Sequence, residues 1–237
     1  MGRLEHIRET SRWRDLTEGQ FQHAIIAILM VAGACSLLKS PDNAPRLLGL
    51  TTTGWALVSV WLAVIHQSIV AIVFRLQLHK NLMTRLFGEK DMRVWAVIFL
   101  PLLAARPLSM IMVGLSDTVP ITDYPNVGMG IGLALLIPAI WGMHSTLVHF
   151  TLRRALGGDH FRNEIAGMPL VTKGVFKYTN NGMYGVVFLG LWGIALLFNS
   201  WNALIVALFQ HAYIWVHMAF TETPDMRRIY EPTNGTS

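Results

Sequence analysis

Residues 183–220, MYGVVFLGLWGIALLFNSWNALIVALFQHAYIWVHMAF, decide the fold of this chain. They form two apolar runs that are separated only by Asn199-Ser200 and contain no Asp, Glu, Lys or Arg. A helix that crosses a bilayer needs about 20 mostly apolar residues, so the runs predict two membrane spans, the first of them short. Because the turn is so short, the two helices must be antiparallel neighbours. We therefore expect residues 177–184 to lie close to residues 219–230.

The composition of the whole chain points to the same class of protein. Of its 237 residues, 53% are hydrophobic and only 14% are charged, whereas a soluble domain carries about 25% charged residues. The sequence therefore predicts an all-α, polytopic bundle of about six membrane spans. The predicted spans are Phe21–Leu38, Leu47–Phe74, Val94–Leu115, Val127–Phe150, Met183–Phe198 and Trp201–Phe220.

The distribution of basic residues predicts the orientation. Lys and Arg concentrate in the N-terminal tail, in the second and fourth connections, and after the last span. Under the positive-inside rule this alternation places both termini in the cytoplasm. It also accounts for the net charge of +5, so no nucleic-acid partner is expected. The polar N-terminus lacks the order of a cleaved signal, and the first span is expected to be retained.

The chain divides at the end of the fourth predicted span. Residues 1–150 hold the N-terminal tail and four spans, and residues 151–237 hold a long polar loop, the last hairpin and a C-terminal polar segment. We expect a multi-pass protein of a bacterial inner membrane or the endoplasmic reticulum. The lipid bilayer is its expected surroundings, and the sequence leaves its oligomeric state open.

A first polar cluster opens the fifth span. Its members are polar residues at the mouth of the span followed by small residues near one helix face: Asn180, Asn181, Tyr184, Gly185, Gly190 and Gly193. Small residues at such spacing allow close helix packing in membranes. They also leave room for a cofactor against the backbone. Both interpretations remain open from the sequence.

A second polar cluster, FTETPDMRRIY at residues 220–230, follows the last span. Glu222 lies at a helix C-terminus, where the helix dipole disfavours a carboxylate unless a positive group binds nearby. That group is either a ligand or one of two nearby cations, Arg227 and Arg228. Thr223-Pro224 is also consistent with a simple helix stop.

Several ionisable residues lie within the predicted spans, where such residues are functional candidates by default. They are His66, Arg106, His144, His149, His211 and His217. No pair of these histidines has the i, i+3 or i, i+4 spacing of a metal-binding helix face, and no metal site is predicted. His211 and His217 gain weight because they share a span with Glu222.

Together, the two clusters resemble the integral-membrane methyltransferases that use S-adenosylmethionine, which include phosphatidylethanolamine N-methyltransferases and isoprenylcysteine carboxyl methyltransferases. The resemblance covers roughly residues 174–230. Where much of that group has Arg-His-Pro-x-Tyr, residues 180–184 are Asn-Asn-Gly-Met-Tyr; where it often ends with Glu-Glu, this chain has Glu222-Thr223. The Asn-Asn entry and the Glu-x-Pro-x-Met ending are more similar to the fungal phosphatidylethanolamine branch.

The resemblance implies methyl transfer from S-adenosylmethionine to a membrane lipid, most simply the amine of phosphatidylethanolamine. It implies three groups of site residues. Cofactor-binding residues would be Asn180, Asn181, Tyr184, Gly185, Gly190, Gly193 and Glu222. The general base would be His217, His211 or Tyr184, in that order. The lipid phosphate would be held by Arg153, Arg154, Lys173 or Lys177.

Other functions also fit the sequence. Within the methyltransferases, the acceptor could be a prenylcysteine carboxylate or a small thiol. A reductase of the sterol type shares similar last spans. A non-enzymatic haem-binding or sensory protein would instead use the intramembrane histidines.

Overall fold

A computed structural model describes residues 2–41 and 45–231 of the chain. It confirms the predicted fold class, a polytopic helical bundle. Five helices are long and apolar enough to cross a membrane: Trp13–Leu37, Thr52–Lys80, Leu82–Ser116, Pro125–Phe150 and Trp201–Tyr230. The fifth predicted span is the shorter apolar helix Met183–Leu197.

Within these spans the regular α-helices are shorter, and small helices precede or follow them. The first half of the chain contains α1 (Arg3–Thr10), α2 (Trp13–Leu16), α3 (Gln20–Leu37), α4 (Thr52–Lys80), α5 (Leu82–Phe87) and α6 (Asp91–Ser116). The second half contains α7 (Pro125–Ser145), α8 (Leu152–Ala155), α9 (Asn163–Ala166), α10 (Leu189–Leu197), α11 (Trp201–His217) and α12 (Thr223–Tyr230). Short 3₁₀ turns cover Gly88–Lys90, Gly158–His160 and Gly174–Lys177. One small antiparallel hairpin pairs β1 (Arg46–Leu47) with β2 (Leu50–Thr51).

Three prolines lie inside long helices without ending them. α6 continues through Pro101 and Pro107, and α7 continues through Pro138. Membrane helices tolerate such residues when neighbouring groups satisfy the freed backbone carbonyls. The third and fourth predicted spans are therefore continuous helices.

Three π-helical turns lie at one end of the bundle, and we call them the π turns. They are Thr146–Phe150 after α7, Met183–Val187 before α10, and Met218–Glu222 after α11. A π turn holds more residues than an α turn and occurs often at functional sites. These turns were not predicted, because their composition is ordinary for a membrane span.

The last hairpin forms as predicted, and α11 is its more buried half. Of the most apolar 18-residue stretch of Trp201–Tyr230, 50% of the residues are buried inside the bundle. The other arm, α10, packs on α7 through glycines: a Cβ added to Gly193 would lie 2.9 Å from the carbonyl oxygen of Gly132. The bundle thus places α11 at its centre, with α10 and α7 to one side.

The two ends of the described chain meet at the end of the bundle that carries the π turns. Leu4 of α1 and Ile229 of α12 share one apolar cluster with Leu78 of α4. Arg3 also donates hydrogen bonds of 3.2 and 3.0 Å to the carbonyl oxygen of Arg228. This common end is what an even number of spans requires. Its cytoplasmic placement stays a prediction from the basic residues.

A candidate active site at the end of the last hairpin

The centre of the candidate site is a hydrogen bond between the two predicted clusters. The Tyr184 hydroxyl donates to Oε1 of Glu222, although the two residues are 38 positions apart. Each lies in a π turn, Tyr184 at the start of the fifth span and Glu222 at the end of the sixth. This contact confirms the expectation that the hairpin brings residues 177–184 next to residues 219–230.

His217 joins this pair from the last turn of α11. Its Nε2 lies 3.5 Å from Oε1 of Glu222, and its side chain is fully buried. Within residues 2–41 and 45–231, neither ring nitrogen of His217 has a hydrogen-bond partner. The Glu222 side chain is 21% exposed. The site therefore combines a partly open carboxylate, a phenol and a buried imidazole without a hydrogen-bond partner among the described residues.

Aromatic rings surround Tyr184. The Phe188 and Trp215 rings approach it edge-on, with centroids 6.2 and 6.1 Å away. Tyr and Trp faces attract cations, most strongly where water is excluded. The carboxylate and these rings together suit a positively charged ligand.

His211 makes its side-chain contacts with residues of the fifth span. Its Nδ1 accepts a 2.9 Å hydrogen bond from the Trp192 indole nitrogen, and its ring lies 5.4 Å from that of Phe188. Because the accepting nitrogen is already engaged, His211 has no free lone pair toward the site. Of the predicted bases, the geometry favours His217.

The three predicted glycines separate into two kinds. A Cβ added to Gly185 would meet no heavy atom within 4 Å. A Cβ on Gly190 would lie 3.3 Å from that of Ala139, and one on Gly193 would meet Gly132 and Leu136. Gly190 and Gly193 thus provide close packing with α7, the alternative that the sequence had left open. Gly185 alone leaves clearance on the site's helix.

The predicted polar residues before the fifth span lie at its mouth. Asn180 is exposed and Asn181 is half-buried. The backbone carbonyl of Asn181 accepts a 2.8 Å hydrogen bond from the amide of Gly185, which starts the helical turn that carries Tyr184. Their side chains remain candidates for ligand contacts.

The four cations predicted to hold a phosphate differ in their exposure. Arg153, Lys173 and Lys177 are exposed, while Arg154 is buried and donates a 2.9 Å hydrogen bond to the carbonyl oxygen of Pro169. Arg153 lines a cavity of about 540 Å³ beside the start of α6, and neither Tyr184 nor Glu222 lines that cavity. Arg153 and the two lysines are therefore exposed, whereas Arg154 is held inside the loop.

Asp225, three residues after Glu222, belongs to a buried charged cluster. Its carboxylate lies 3.0 Å from Arg75 Nη1 and 3.3 Å from His160 Nε2. The other nitrogen of His160 lies 3.1 Å from Asp159, and the Tyr230 hydroxyl donates to Asp159 at 3.2 Å. We call these five residues the charged cluster.

Two pKa values in this cluster are shifted in opposite directions. Burial favours a neutral His160 ring, but hydrogen bonds and charge from Asp159 and Asp225 outweigh it and raise the His160 pKa to about 10. Burial likewise opposes ionisation of Asp159, but the hydrogen bond and charge of His160 lower its pKa below the ordinary value. His160 is thus a cation clamped between two carboxylates.

The alternative partners considered for Glu222 are engaged elsewhere or point away. Arg228 pairs with Asp15 and Glu18 at 3.1 and 2.7 Å, and Arg227 is exposed. No ion pair in the described part of the chain joins either arginine to Glu222. The described residues also contain no group of three or more His, Cys, Asp or Glu side chains that could hold a metal ion.

Comparison with known proteins confirms the resemblance inferred from the two clusters. Residues 127–233 match the family model described as phospholipid methyltransferase. Phosphatidylethanolamine N-methyltransferase of Scheffersomyces stipitis is 28% identical over 111 residues, which are 46% of this chain and 13% of that protein. The enzyme of the same name from Clavispora lusitaniae is 32% identical over 111 residues, 45% of this chain and 13% of that protein.

The match is confined to part of each chain. Phosphatidylethanolamine N-methyltransferase of Meyerozyma guilliermondii is 33% identical over 76 residues, which are 32% of this chain and 9% of that protein. The chain thus aligns with about an eighth, or less, of the length of these curated relatives. No solved structure matches it. The matched region contains Tyr184, His217 and Glu222, whereas the first three spans lie outside it.

Proposed function

We propose that this membrane protein transfers a methyl group from S-adenosylmethionine to the amine of phosphatidylethanolamine. The observation that carries the proposal is the Tyr184–Glu222 hydrogen bond, with His217 beside it. These residues lie inside the region that matches the phospholipid methyltransferase model. The pair joins the two sequence clusters that carry the resemblance.

The residues around Glu222 fit the methyl donor. Its partly exposed carboxylate can accept hydrogen bonds from ligand hydroxyl or amino groups, and such charge-assisted bonds are strong. The aromatic rings at Tyr184 and Trp215 favour a cationic sulfonium, and the clearance at Gly185 admits a ligand against the backbone. When bound, the donor supplies an activated methyl group. Asn180 and Asn181 would contact its polar edge.

His217 is the proposed general base. The amine of phosphatidylethanolamine is protonated at neutral pH and must lose its proton before it can attack. The unpartnered nitrogens of His217 can accept that proton, and the carboxylate of Glu222 at 3.5 Å stabilises the imidazolium that results. Tyr184 holds Glu222 in place through its hydroxyl.

The position of the site suits a substrate that stays in the bilayer. Glu222 and Tyr184 lie where two spans end, so the headgroup can reach them while the acyl chains remain in lipid. Basic residues at membrane surfaces attract phosphate groups, and Arg153, Lys173 and Lys177 are exposed at this end of the bundle. With Arg154 near them, we assign these residues to the recruitment of the lipid. The positive-inside rule predicts that the site faces the cytoplasm, where the donor is available.

The deciding experiment offers the purified protein labelled S-adenosylmethionine and total lipid extract, and then separates the products. Label in mono-, di- or trimethylated ethanolamine lipids is the expected result. Label in prenylcysteine methyl esters or small thioethers would move the acceptor to another class. Absence of label from every product would refute the proposed activity. A His217→Gln variant, which should bind the donor yet transfer slowly, ties the reaction to this site.

A further inference from the structure

Arg106 is a buried charge in the middle of the bundle, 15 residues into α6. Its side chain is 3% exposed. Its Nε donates a 2.8 Å hydrogen bond to the neutral amide oxygen of Gln210 on α11. Its Nη2 is buried without a hydrogen-bond partner in the described part of the chain. A cation held in this way has lost its hydration without gaining a counter-charge.

The groups around Arg106 do not neutralise it. None of the ion pairs formed within residues 2–41 and 45–231 includes this arginine. Gln210 itself is held by Ser59, whose hydroxyl accepts a 2.9 Å hydrogen bond from the Gln210 amide nitrogen. Ser109 donates to the same hydroxyl at 2.8 Å. These side chains orient the amide so that it receives Arg106, but they carry no negative charge.

His66 on α4 adds a second unsatisfied polar side chain at mid-span. It is 2% exposed, and both of its ring nitrogens are buried without a hydrogen-bond partner among the described residues. It lies seven residues after Ser59, two turns along the same face of α4. Buried polar groups in native proteins are almost always satisfied. We call Arg106, Gln210, His66, Ser59 and Ser109 the polar layer.

Phe188 connects the polar layer to the candidate site. The Arg106 guanidinium carbon lies 5.3 Å from the centre of the Phe188 ring, and that ring lies 6.2 Å from the ring of Tyr184. On α11, Gln210 and His217 are seven residues apart and both fully buried, so they lie on one face two turns apart. Arg106 and Tyr184 therefore lie against the same aromatic ring, that of Phe188.

We propose that Arg106 binds an oxyanion of the ligands that meet at Tyr184 and Glu222. The oxyanion is the carboxylate of the methyl donor or the phosphodiester of the lipid acceptor. The assignment rests on the function proposed above and adds a residue from a span outside the matched family region. The planar guanidinium can offer paired N–H donors to either group. Binding would supply the negative charge that this position lacks.

The test compares Arg106→Gln and Arg106→Lys with the wild-type protein in lipid nanodiscs. Calorimetry measures the affinity for S-adenosylhomocysteine, which carries the carboxylate, and for 5′-methylthioadenosine, which does not. A transfer assay measures KM for phosphatidylethanolamine. Arg85→Gln, an exposed arginine of α5, is the matched control and should change none of these values.

If the carboxylate is the partner, Arg106→Gln should weaken S-adenosylhomocysteine binding about 10-fold or more and leave 5′-methylthioadenosine unchanged. If the phosphodiester is the partner, the same variant should raise KM for the lipid by a similar factor with unchanged S-adenosylhomocysteine affinity. The affinity or KM of Arg106→Lys should lie between those of the wild-type protein and Arg106→Gln. Lysine keeps the positive charge but lacks the paired N–H donors of the planar guanidinium. Thermal unfolding without ligand should occur at the same or a higher temperature in Arg106→Gln, because an unpaired buried charge has been removed.

Unchanged affinity and unchanged KM in Arg106→Gln would overturn the inference while leaving the proposed function intact. A large drop in unfolding temperature with equal losses for all three ligands would assign Arg106 a structural role and overturn it as well. A wild-type protein that neither binds S-adenosylhomocysteine nor methylates the lipid would refute the proposed function, and this assignment with it.

Discussion

The charged cluster and the polar layer both bury ionisable side chains, yet they treat them in opposite ways. In the charged cluster, Arg75 and His160 each face a carboxylate of Asp225. In the polar layer, Arg106 meets a neutral amide and keeps Nη2 unpartnered. Burial beside a counter-charge holds helices together, whereas burial of a charge without one costs stability and persists where a ligand supplies it.

Their positions explain the difference. Arg75 lies where helices end, and its guanidinium donates to the backbone carbonyls of Asp15 and Glu18 at 3.0 Å. Arg106 lies within α6, where the neighbouring carbonyls are engaged in helical hydrogen bonds. Only side chains or ligands can pair with it there. The two regions therefore predict different consequences of substitution.

The largest effect is expected from Asp225→Ala in the charged cluster. The change leaves Arg75 and His160 buried without their shared carboxylate, which should cost about 3–5 kcal/mol of folding free energy. Thermal unfolding in detergent measures it, with the exposed Asp123→Ala as control. If the unfolding temperature equalled that of the control, the charged cluster would not stabilise the fold, and its proposed difference from the polar layer would be wrong.

A smaller effect on stability and a larger one on binding are expected from Glu222→Ala. Its carboxylate is partly exposed, so its loss should leave the unfolding temperature nearly unchanged. Affinity for S-adenosylhomocysteine should fall about 10- to 100-fold, because charge-assisted hydrogen bonds are lost. Calorimetry against Glu231→Ala, an exposed carboxylate at the end of α12, checks this. Unchanged affinity in the folded variant would remove Glu222 from the donor site.

The charged cluster should also make stability depend on pH. The folded-state pKa of His160 is raised from 6.5 to about 10 by Asp159 and Asp225. A raised pKa gives stability that is complete below the unfolded value and is lost as pH rises through the folded value. The unfolding temperature should therefore fall by several degrees between pH 7 and 10, and by less in His160→Gln. Equal slopes in the two proteins would contradict a charged His160.

Two glycines that the sequence placed together should respond differently to substitution. Gly193→Ala should destabilise the protein by about 1–3 kcal/mol, because its Cβ would overlap Gly132 and Leu136. Gly185→Ala should alter stability by less than about 0.5 kcal/mol and weaken S-adenosylhomocysteine binding. Thermal unfolding and calorimetry on both variants separate packing from ligand clearance. Equal stability losses would show that both glycines serve packing.

The sequence predicted what depends on hydropathy and chain connectivity. The span lengths gave the helical bundle, and the Asn199-Ser200 turn gave the contact between Tyr184 and Glu222, since a hairpin must align its ends. It did not predict that His160 meets Asp225, 65 residues away. That contact depends on how the irregular loop after α7 folds back, and such a path has no periodicity.

The polar layer was predictable only in part. Arg106 attracts notice as a charge within a span, but its partner Gln210 depends on how α6 and α11 are rotated against each other. The hydropathy of these two helices leaves that rotation undetermined, since both are apolar on most sides. The glycine pattern was ambiguous between helix packing and cofactor clearance for a related reason. The spacing shows that the glycines share a helix face, but it does not show whether that face contacts a helix or a ligand.

The direction in which Glu222 points depends on the number of residues in the π turn at Met218–Glu222. An α-helix advances by about 100° per residue, and the extra residue of the π turn sets the direction in which Glu222 faces Tyr184. Removing one residue between 218 and 221 would rotate the carboxylate, and all of α12 after it, by about that angle. A single deletion would then separate Glu222 from Tyr184 and Asp225 from Arg75 at once, although every chemical group remained present.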